Sequence, residues 1–308
     1  MPSNQIAVYP AQSSRLTAPF GVAVREDVAF TNHKGEEKSG VRKNAEKLLE
    51  KLQEPLRKFL EPDEAVFCIV RAQVMPSGVE QFFLGWHAMF LMPGALVLTN
   101  RRLIHVLVDR NGGWKRILRC ARWGDIAEAK AKGLLGARLT LKYRDGKKET
   151  FSQITGGDAK RIQLLLEAFL PAAAGETSPA QSITSLCPDC KALLNGGVYE
   201  CPQCHRAFKD ENTAVKRTWL IPGGGFFYTG HPFLGILHGI VEGILLIVVL
   251  YWLLIGLGVV APDSGSEGAG DKASALIVLA VFAGVFAIHK WVQASVARKQ
   301  VRNFLPLS

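Results

Sequence analysis

The sequence predicts an α+β protein with a curled β-sheet of about seven strands capped by a C-terminal helix, followed by a small metal-binding module and a two-helix membrane hairpin. Three observations support this prediction. Short β-branched and aromatic runs fill residues 61–171, two Cys-x-x-Cys pairs follow them, and two long apolar runs lie near the C-terminus. The 308 residues leave room for one or two ordinary domains besides the hairpin.

The amino-acid composition says more about where the protein is located than about what it does. A formal net charge of +10 suits a protein beside an anionic membrane surface and equally suits a nucleic-acid binder. Residues 1–15 are polar and contain Pro2 and Pro10, with no apolar run behind a basic start, which is not the pattern of a secretory signal peptide. The part of the chain before the hairpin is therefore expected in the cytosol, where paired cysteines indicate a metal rather than disulfides.

The N-terminal part divides into an irregular segment and a helix. Residues 1–40 show no sustained periodicity and predict irregular structure. Residues 41–60 carry apolar side chains at three- and four-residue steps, with Lys, Arg and Glu on the other face. This pattern predicts an amphipathic helix that bends or ends near Pro55. Its apolar face either packs on its own domain or binds a partner.

Residues 61–171 change to the period of strands. The predicted strands share β-branched or aromatic residues and cover 65–74, 95–99, 103–108, 114–120, 126–130, 138–143 and 149–154. Asn111-Gly112 and Asp145-Gly146 predict two hairpin turns. Residues 157–170 predict a helix that ends at Pro171 and plugs the open end of the sheet.

Two motifs in this region resemble a known family. The run Leu98-Thr99-Asn100-Arg101-Arg102-Leu103-Ile104 resembles a signature of bacterial pleckstrin-homology-like (PH-like) and GRAM-like domains, and Trp123-Gly124-Asp125-Ile126 resembles the start of their later half. The resemblance covers residues 61–171 and implies a PH-like domain that binds a lipid, a peptide or a protein. Residues 75–94 contain no Lys or Arg, and the last helix lacks the Trp typical of eukaryotic lipid-binding members. Phosphoinositide recognition by the familiar route is therefore not expected.

An apolar run between the first two predicted strands contains four candidate residues for membrane or partner contact: Phe82, Phe83, Trp86 and Phe90. If this run is exposed beside a bilayer, it can enter the interface or grip a partner. The other interpretation is a buried strand or helix that closes the sheet. Basic residues on the later strands either line a face toward anionic lipids or form a solvated face.

The clearest chemistry lies in two Cys-x-x-Cys pairs, Cys187/Cys190 and Cys201/Cys204, which ten residues separate. Each such turn can place two sulfurs on one cation, and two facing turns supply the four thiolates of a structural zinc site. The pattern resembles short zinc ribbons and predicts a ribbon over residues 187–212, preceded by a flexible linker over 172–186. Four thiolates leave no open position on the metal for catalysis.

Other interpretations of these cysteines remain open. One pair could act as a redox dithiol, and Cys201 to Cys204 followed by His205 also matches the string that attaches c-type haem. No βαβ pattern surrounds the pairs, and haem attachment occurs outside the cytosol, so structural zinc is favoured. Nucleic-acid binding by the ribbon is a second-rank alternative, because no aromatic stacking array accompanies its basic residues.

A membrane module is predicted over residues 213–308, with transmembrane helices near 234–260 and 273–292, each about as long as a bilayer crossing requires. The connector, residues 261–272, carries three acidic residues and one Lys, whereas basic residues lie beyond the other end of each helix. Both termini are therefore expected in the cytosol. Residues 221–232 resemble a segment of small bacterial membrane modules, which implies the bacterial inner membrane.

Near its start, the first span has three glycines spaced four residues apart: Gly235, Gly239 and Gly243. Such glycines allow close approach of another helix, either the second span or a second copy in a homo-oligomer. His238, Glu242 and His289 form a candidate intramembrane polar cluster. Ionisable groups inside a span are costly, so these residues are candidates for a proton or metal relay. The other interpretation is a hydrogen-bonded set that locks the hairpin.

The sequence contains no phosphate-binding loop, zinc-protease motif or nucleophile elbow, and no enzymatic activity is expected. The favoured function is a membrane-anchored, non-enzymatic adaptor or regulator, in which the PH-like domain binds a partner and the zinc ribbon joins it to the hairpin. One alternative is a membrane transport or assembly component that uses His238 and Glu242. Another is a membrane-tethered nucleic-acid binder that uses the ribbon.

Overall fold

The computed structural model describes residues 16–85, 87, 91–109, 111–133, 136–173, 177–260 and 272–307. The chain forms two compact units. The sheet unit contains the chain up to Pro76 together with Met92–Ala207. The helical unit contains Ser77–Leu91 and Phe208–Leu307. Residues 77–91 therefore leave the sheet unit between two of its strands and belong to the other unit.

One sheet contains all eleven strands found among the described residues. They are β1 (Leu16–Thr17), β2 (Val24–Arg25), β3 (Val66–Val74), β4 (Pro93–Thr99), β5 (Arg102–Val108), β6 (Trp114–Arg122), β7 (Ile126–Lys132), β8 (Ala137–Tyr143), β9 (Lys148–Ile154), β10 (Thr184–Leu186) and β11 (Leu193–Leu194). The predicted number of about seven was wrong. The seven predicted segments correspond to β3–β9, and the four additional strands have only two or three residues each, too few for an alternating pattern to be recognised.

The order of the strands in the sheet is β11-β10-β6-β5-β4-β3-β9-β8-β7, and β2 pairs in parallel with β3 at its start. The neighbouring pairs along that order are antiparallel. Gly112 and Gly146 adopt φ values of 88° and 87° in the two predicted hairpin turns. Glycine suits these positions because it has no Cβ to clash in the left-handed region.

Eight α-helices are found in the described parts of the chain. They are α1 (Glu26–Ala29), α2 (Ser39–Phe59), α3 (Gly78–Leu84), α4 (Gly156–Ala172), α5 (Glu211–Leu220), α6 (Gly224–Tyr228), α7 (Pro232–Gly256) and α8 (Lys272–Val301). Pro55 lies inside α2, and the helix continues past it to Phe59. The segment predicted to be irregular contains β1, β2 and α1 from residue 16 onward, because its short elements take their order from pairing with β3 and not from a local pattern.

The core of the sheet unit lies on both faces of the sheet. On one face, Leu49 and Leu52 of α2 are fully buried with Val97 of β4. On the other face, Ile162 and Phe169 of α4 are buried among residues of the opposite side of the strands. Covering both faces explains why the central strands are almost continuously apolar instead of alternating. The apolar face of α2 therefore packs on its own unit.

The turn between β4 and β5, which carries the family resemblance, binds the segment that leads into β3. Asn100 accepts a hydrogen bond from the Ala65 N–H at 2.9 Å. Arg102 donates from Nε and Nη2 to the carboxylate of Glu64 at 2.9 and 2.7 Å, and the Thr99 hydroxyl donates to the same carboxylate at 2.7 Å. The Glu64 side chain is fully buried. We call Glu64, Thr99, Asn100 and Arg102 the turn latch.

The segment predicted as a flexible linker, residues 172–186, is partly bound to the sheet. Its last residues form β10, which pairs with β6. The Ser178 N–H donates to the carboxylate of Asp125 at 2.6 Å, and the Asp145 N–H donates to the Gln181 carbonyl at 3.1 Å. These bonds involve backbone groups, which composition does not reveal, so the part of the segment from Ser178 onward binds to the sheet without an apolar pattern of its own.

In the helical unit, α7 and α8 are the two helices among the described residues that are long and apolar enough to cross a membrane. The first ends at Gly256, four residues before the predicted end, and the second continues to Val301, beyond the predicted end at residue 292. Val296, Ala297 and Val301 are buried, so the last turns of α8 belong to the packed part of the unit. Residues 261–271, which include the acidic connector, lie outside the described residues.

Candidate metal centre and buried polar cluster

The four cysteines of the predicted ribbon come together at one point of the sheet unit. Their sulfur atoms all lie within 4.8 Å of one another. The Cys187 and Cys204 sulfurs are 3.5 Å apart, and those of Cys190 and Cys201 are 3.4 Å apart. Tetrahedral zinc with Zn–S bonds of about 2.3 Å places its sulfurs roughly 3.8 Å apart. The cluster can therefore hold a metal ion with four sulfur ligands.

The two Cys-x-x-Cys turns have the same backbone arrangement. The Cys187 carbonyl accepts a hydrogen bond from the Lys191 N–H at 3.1 Å, and the Cys201 carbonyl accepts one from the His205 N–H at 3.1 Å. Lys191 and His205, each directly after the second cysteine of its pair, have φ values of 66° and 58°. A left-handed conformation costs a non-glycine residue about 1 kcal/mol or more. This repeated strain is consistent with turns shaped to direct two sulfurs each at a shared ligand.

The cluster differs from a redox dithiol in having four sulfurs within mutual reach. Cys187 and Cys201 are fully buried, Cys190 is partly exposed and Cys204 is exposed. Burial raises the pKa of Cys201, but hydrogen bonds with the N–H groups of Cys204 and Gln203 and with the Cys190 and Cys204 thiols together lower it to about 6. The set therefore includes a sulfur that favours the thiolate, the form that binds metals.

His205, which follows the second pair, does not join the sulfur ligands. Its ring lies on the surface, and Nδ1 is 2.8 Å from the Glu200 carboxylate. The four cysteines therefore account for a complete tetrahedral set without it. The string that resembles a haem attachment site forms one half of this cluster.

The second group of predicted residues lies within α7 and α8. His238 Nδ1 is 3.4 Å from His289 Nε2, and the His238 ring stacks on Phe226 with ring centroids 4.9 Å apart. Glu242 forms an ion pair with Lys290. The structure thus brings the two histidines into contact and gives the carboxylate a lysine partner, which the sequence analysis did not include in the cluster.

The ion pair is buried and also binds backbone groups. The side chains of Glu242 and Lys290 are 1% and 3% exposed. Lys290 donates to the Thr218 carbonyl at 2.6 Å, and the Gly223 N–H donates to Glu242 at 3.2 Å. The pair therefore fixes the end of α5 and the start of α6 against α7 and α8. Sequence gave no signal for this role, because the residues between Thr218 and Gly223 must first fold back onto the helices.

The three regularly spaced glycines at the start of α7, Gly235, Gly239 and Gly243, have different surroundings. A Cβ at Gly235 would meet the Phe227 ring, and one at Gly239 would come within 3.4 Å of the Pro222 carbonyl. A Cβ at Gly243 would meet nothing within 4 Å. Close approach at the first two glycines is thus to the segment around α6 and not to α8, and Gly243 leaves its side of α7 open.

The aromatic run is described only in part. Phe82 lies on α3 and is 82% exposed, and Phe83 is described in its backbone only. Trp86 and Phe90 lie outside the described residues. Helix α3 begins with a capping box, in which Ser77 and Glu80 each accept from the other's backbone N–H, and Glu80 also pairs with Lys299 of α8 at 2.8 Å. Phe82 therefore belongs to the same unit as the two long apolar helices.

Comparison of the chain with protein-family models, with curated proteins and with solved structures gave no match. Function is therefore inferred from the arrangement of the residues alone.

Proposed function

We propose that the protein is a membrane-anchored, non-enzymatic adaptor or regulator. Its sheet unit is a PH-like module that binds a lipid, a peptide or a protein, its four cysteines hold a structural zinc ion, and α7 and α8 anchor it in a bacterial inner membrane. The observation that carries the proposal is the division of the chain into a sheet unit with the four cysteines and a helical unit whose two long helices expose apolar side chains.

The exposed surface of the two helices supports the anchor. The apolar side chains that are more than half exposed on them are Phe233, Ile236, Ile240, Ile244, Ile247, Leu276, Ile277, Val281, Ile288 and Trp291. A soluble surface rarely carries such a continuous apolar area, because each Å² in water costs about 25 cal/mol. At the C-terminal end of α5, Trp219 and Leu220 are also exposed, as expected for residues at the boundary between lipid and water.

Basic residues support the orientation with both termini in the cytosol. Lys216 and Arg217 lie on α5 ahead of α7, and Arg298 and Lys299 lie in the last turns of α8. The cytosolic ends of membrane helices carry an excess of Lys and Arg. Placing these ends in the cytosol also places the cysteine cluster in a reducing compartment, which keeps its thiols available to a metal.

The cysteine chemistry supports zinc in a structural role. Four thiolates in tetrahedral array form the commonest kind of structural zinc site, and they leave no position for a reacting water. Within residues 187–212 there is one strand, the two-residue β11, which pairs with β10 just ahead of the ribbon. Zinc binding would therefore supply much of its local stability, as it does in small zinc modules.

The experiment that tests the proposal combines fractionation and metal analysis of the full chain. We expect the chain to stay with membranes in high salt and alkaline carbonate, to require detergent for release, and to contain one zinc per chain after purification. A matched variant, Ile247→Glu with Ile277→Glu, should weaken membrane retention and leave the zinc content unchanged. Release of the native chain by salt or carbonate, or absence of zinc, would contradict the anchor or the metal assignment respectively.

A second candidate function is a membrane transport or assembly component. The observation that favours it is the pair of buried charges, Glu242 and Lys290, beside His238 and His289 in helices long enough to span a bilayer. Vesicles containing the purified chain and a pH-sensitive dye would test it. Proton flux that Glu242→Gln abolishes and the exposed Glu50→Gln leaves intact would replace the adaptor function, whereas equal leakage in all three proteins would dismiss transport.

A further inference from the structure

A cavity of about 950 Å³ lies in the sheet unit where the N-terminal ends of α2 and α4 meet the strands. The buried side chains of Leu48, Ile69 and Val70 contribute its apolar lining. Polar and charged residues supply the rest. Small-molecule sites typically have volumes of roughly 300–1,000 Å³ with a mainly apolar lining and a few polar groups. The cavity has the size of a ligand site and does not involve the cysteine cluster.

Two helix N-termini contribute to the lining. Ser39 and Gly40 begin α2, and no side chain caps this 21-residue helix. Thr155 and Gly157 line the cavity at the start of α4, which has 17 residues and one capped N–H group, since the Thr155 hydroxyl accepts from the Asp158 N–H at 3.1 Å. The first N–H groups of a helix lack partners within it and carry the positive end of its dipole, so they favour anions.

The second residue of each helix is glycine, and packing does not explain either one. A Cβ at Gly40 would meet nothing within 4 Å, and one at Gly157 would meet only the Thr155 hydroxyl, at 4.0 Å. Neither glycine has a positive φ. Because glycine has no side chain, the backbone N–H groups at these positions stay accessible, and a phosphate at a helix N-terminus requires such access.

Arg161 provides an independent observation that points to an anion. This arginine of α4 lines the cavity and is only 5% exposed. Its Nη2 donates to the Cys68 sulfur at 2.9 Å, its Nη1 is 3.6 Å from the Asp158 carboxylate, and its Nε has no hydrogen-bond partner. A guanidinium carries five N–H donors, and a buried charge with so few acceptors is costly. Asp158 is the ion-pair partner of Arg161, and an anion in the cavity would add further negative charge beside the guanidinium.

The charges around the cavity favour the same kind of ligand. Lys38, Lys47 and Arg71 line it together with Arg161, against the acidic residues Glu37 and Asp158. Both acidic residues have other partners: Glu37 accepts from Arg42 at 2.7 Å, and Asp158 accepts from the Thr155 hydroxyl at 2.7 Å. The lining therefore presents an excess of positive charge to whatever enters it.

We propose that this cavity binds a phosphate-bearing small molecule. The phosphate lies at the N-termini of α2 and α4 beside Arg161, and an apolar or aromatic part of the molecule packs on Leu48 and Ile69. The phosphate belongs either to a soluble compound such as a nucleotide or to a lipid headgroup. This site uses no residue of segment 75–94, and it goes beyond the proposed adaptor function because it stands on the cavity alone.

Calorimetry on the full chain, purified in detergent with its metal, tests the proposal. Three probes separate the sources of phosphate: inorganic phosphate, ADP and dihexanoyl phosphatidic acid. We expect at least one to bind, and Lys38→Gln with Lys47→Gln to weaken that binding about tenfold or more, the cost of losing a charge-assisted contact. The control variant Lys43→Gln with Lys160→Gln removes one exposed lysine from α2 and one from α4, neither of which lines the cavity. It should leave the affinity unchanged.

A second variant tests the helix N-terminus without removing charge. Gly40→Ala places a methyl group in open space, so the melting temperature should not fall, while binding of the same probe weakens because the methyl group obstructs the phosphate. Preference for ADP identifies a soluble ligand, and preference for dihexanoyl phosphatidic acid identifies a lipid headgroup. The proposal is overturned if none of the three probes binds, or if the two lysine pairs reduce binding equally.

Discussion

Replacing Arg102 of the turn latch by Met should destabilise the sheet unit far more than the same change at Arg101, its neighbour in the sequence. Glu64 is fully buried and accepts from Arg102, from the Thr99 hydroxyl and from the Glu61 N–H. Arg102→Met removes the one charged donor that Glu64 has among the described residues, and it leaves the carboxylate buried without that countercharge. Breaking a buried pair costs about 3–5 kcal/mol, and because Arg102 is itself 14% exposed we expect about 3 kcal/mol.

Arg101 offers a control within the same turn. Its partners Glu61 and Asp63 are exposed, and its own side chain is 42% exposed. Exposed ion pairs contribute about 0–1 kcal/mol, so Arg101→Met should have a small effect. The double variant Glu64→Gln with Arg102→Met removes both charges, and it should recover a large part of the loss because no unpaired charge remains.

The measurement is denaturant unfolding of the full chain in detergent, followed by tryptophan fluorescence, with the free energy of unfolding taken for the native chain, for the single variants Arg101→Met, Arg102→Met and Glu64→Gln, and for the double variant. The Trp123 indole donates to the Thr99 carbonyl at 3.0 Å, so its emission reports on the latch directly. Equal losses for Arg101→Met and Arg102→Met would refute the reasoning from burial. A double variant that loses the sum of its single changes would refute the reasoning from unpaired charge.

Three further changes have outcomes that the structure sets. Cys201→Ser should abolish metal binding and Cys120→Ser should not, as measured by mass spectrometry of bound metal; retention of metal in the first would exclude the four-sulfur site. Glu242→Gln should cost about 3 kcal/mol of unfolding free energy in detergent, and adding Lys290→Met should restore much of it, because the lysine is otherwise buried unpaired. Burial and the Arg119 guanidinium hold the pKa of His105 well below 6.5, so the folded chain keeps this histidine neutral. The unfolded chain binds a proton on this histidine as the pH falls below about 6.5, so the free energy of unfolding decreases there by up to about 1.4 kcal/mol per pH unit. In unfolding curves measured at acid pH, His105→Gln should make the free energy of unfolding depend less steeply on pH. An unchanged slope would contradict a neutral His105.

The parts of the fold that the sequence predicted are those with a local signal. Strands β3–β9 are seven to nine residues long, enough for a strand pattern to be recognised, and α7 and α8 are long and apolar. Strands β1, β2, β10 and β11 form because a neighbouring strand offers free backbone groups. The residue types of these short strands do not indicate such pairing. The Thr99 to Arg102 motif was visible as a pattern, but its physical meaning required knowing that Glu64 lies opposite it.

The candidate sites divide in the same way. The cysteine spacing contains the geometry of the cluster, since two residues between cysteines already bring two sulfurs together. Lys290 was not predicted to be buried, because its partner Glu242 is 48 positions away and the backbone groups that complete its environment come from a third segment. Arg161 precedes Leu165 by one helical turn and so shares its buried face, a signal that is present in the sequence but that ordinary helix surfaces also produce.

The course of the chain between the two units has a consequence for how the protein is made. The chain passes from one unit to the other at residues 76–77, 91–92 and 207–208, so neither unit is a continuous stretch of sequence. During synthesis, residues 77–91 emerge long before their partners, since Glu80 must wait for Lys299, 219 positions later. A ribosome-bound chain can therefore pair β3 with β4 while the segment between them stays undocked until the last helix leaves the exit tunnel. A chain terminated after Ala207 would contain residues 77–91 without Phe208–Leu307, the rest of the unit to which they belong.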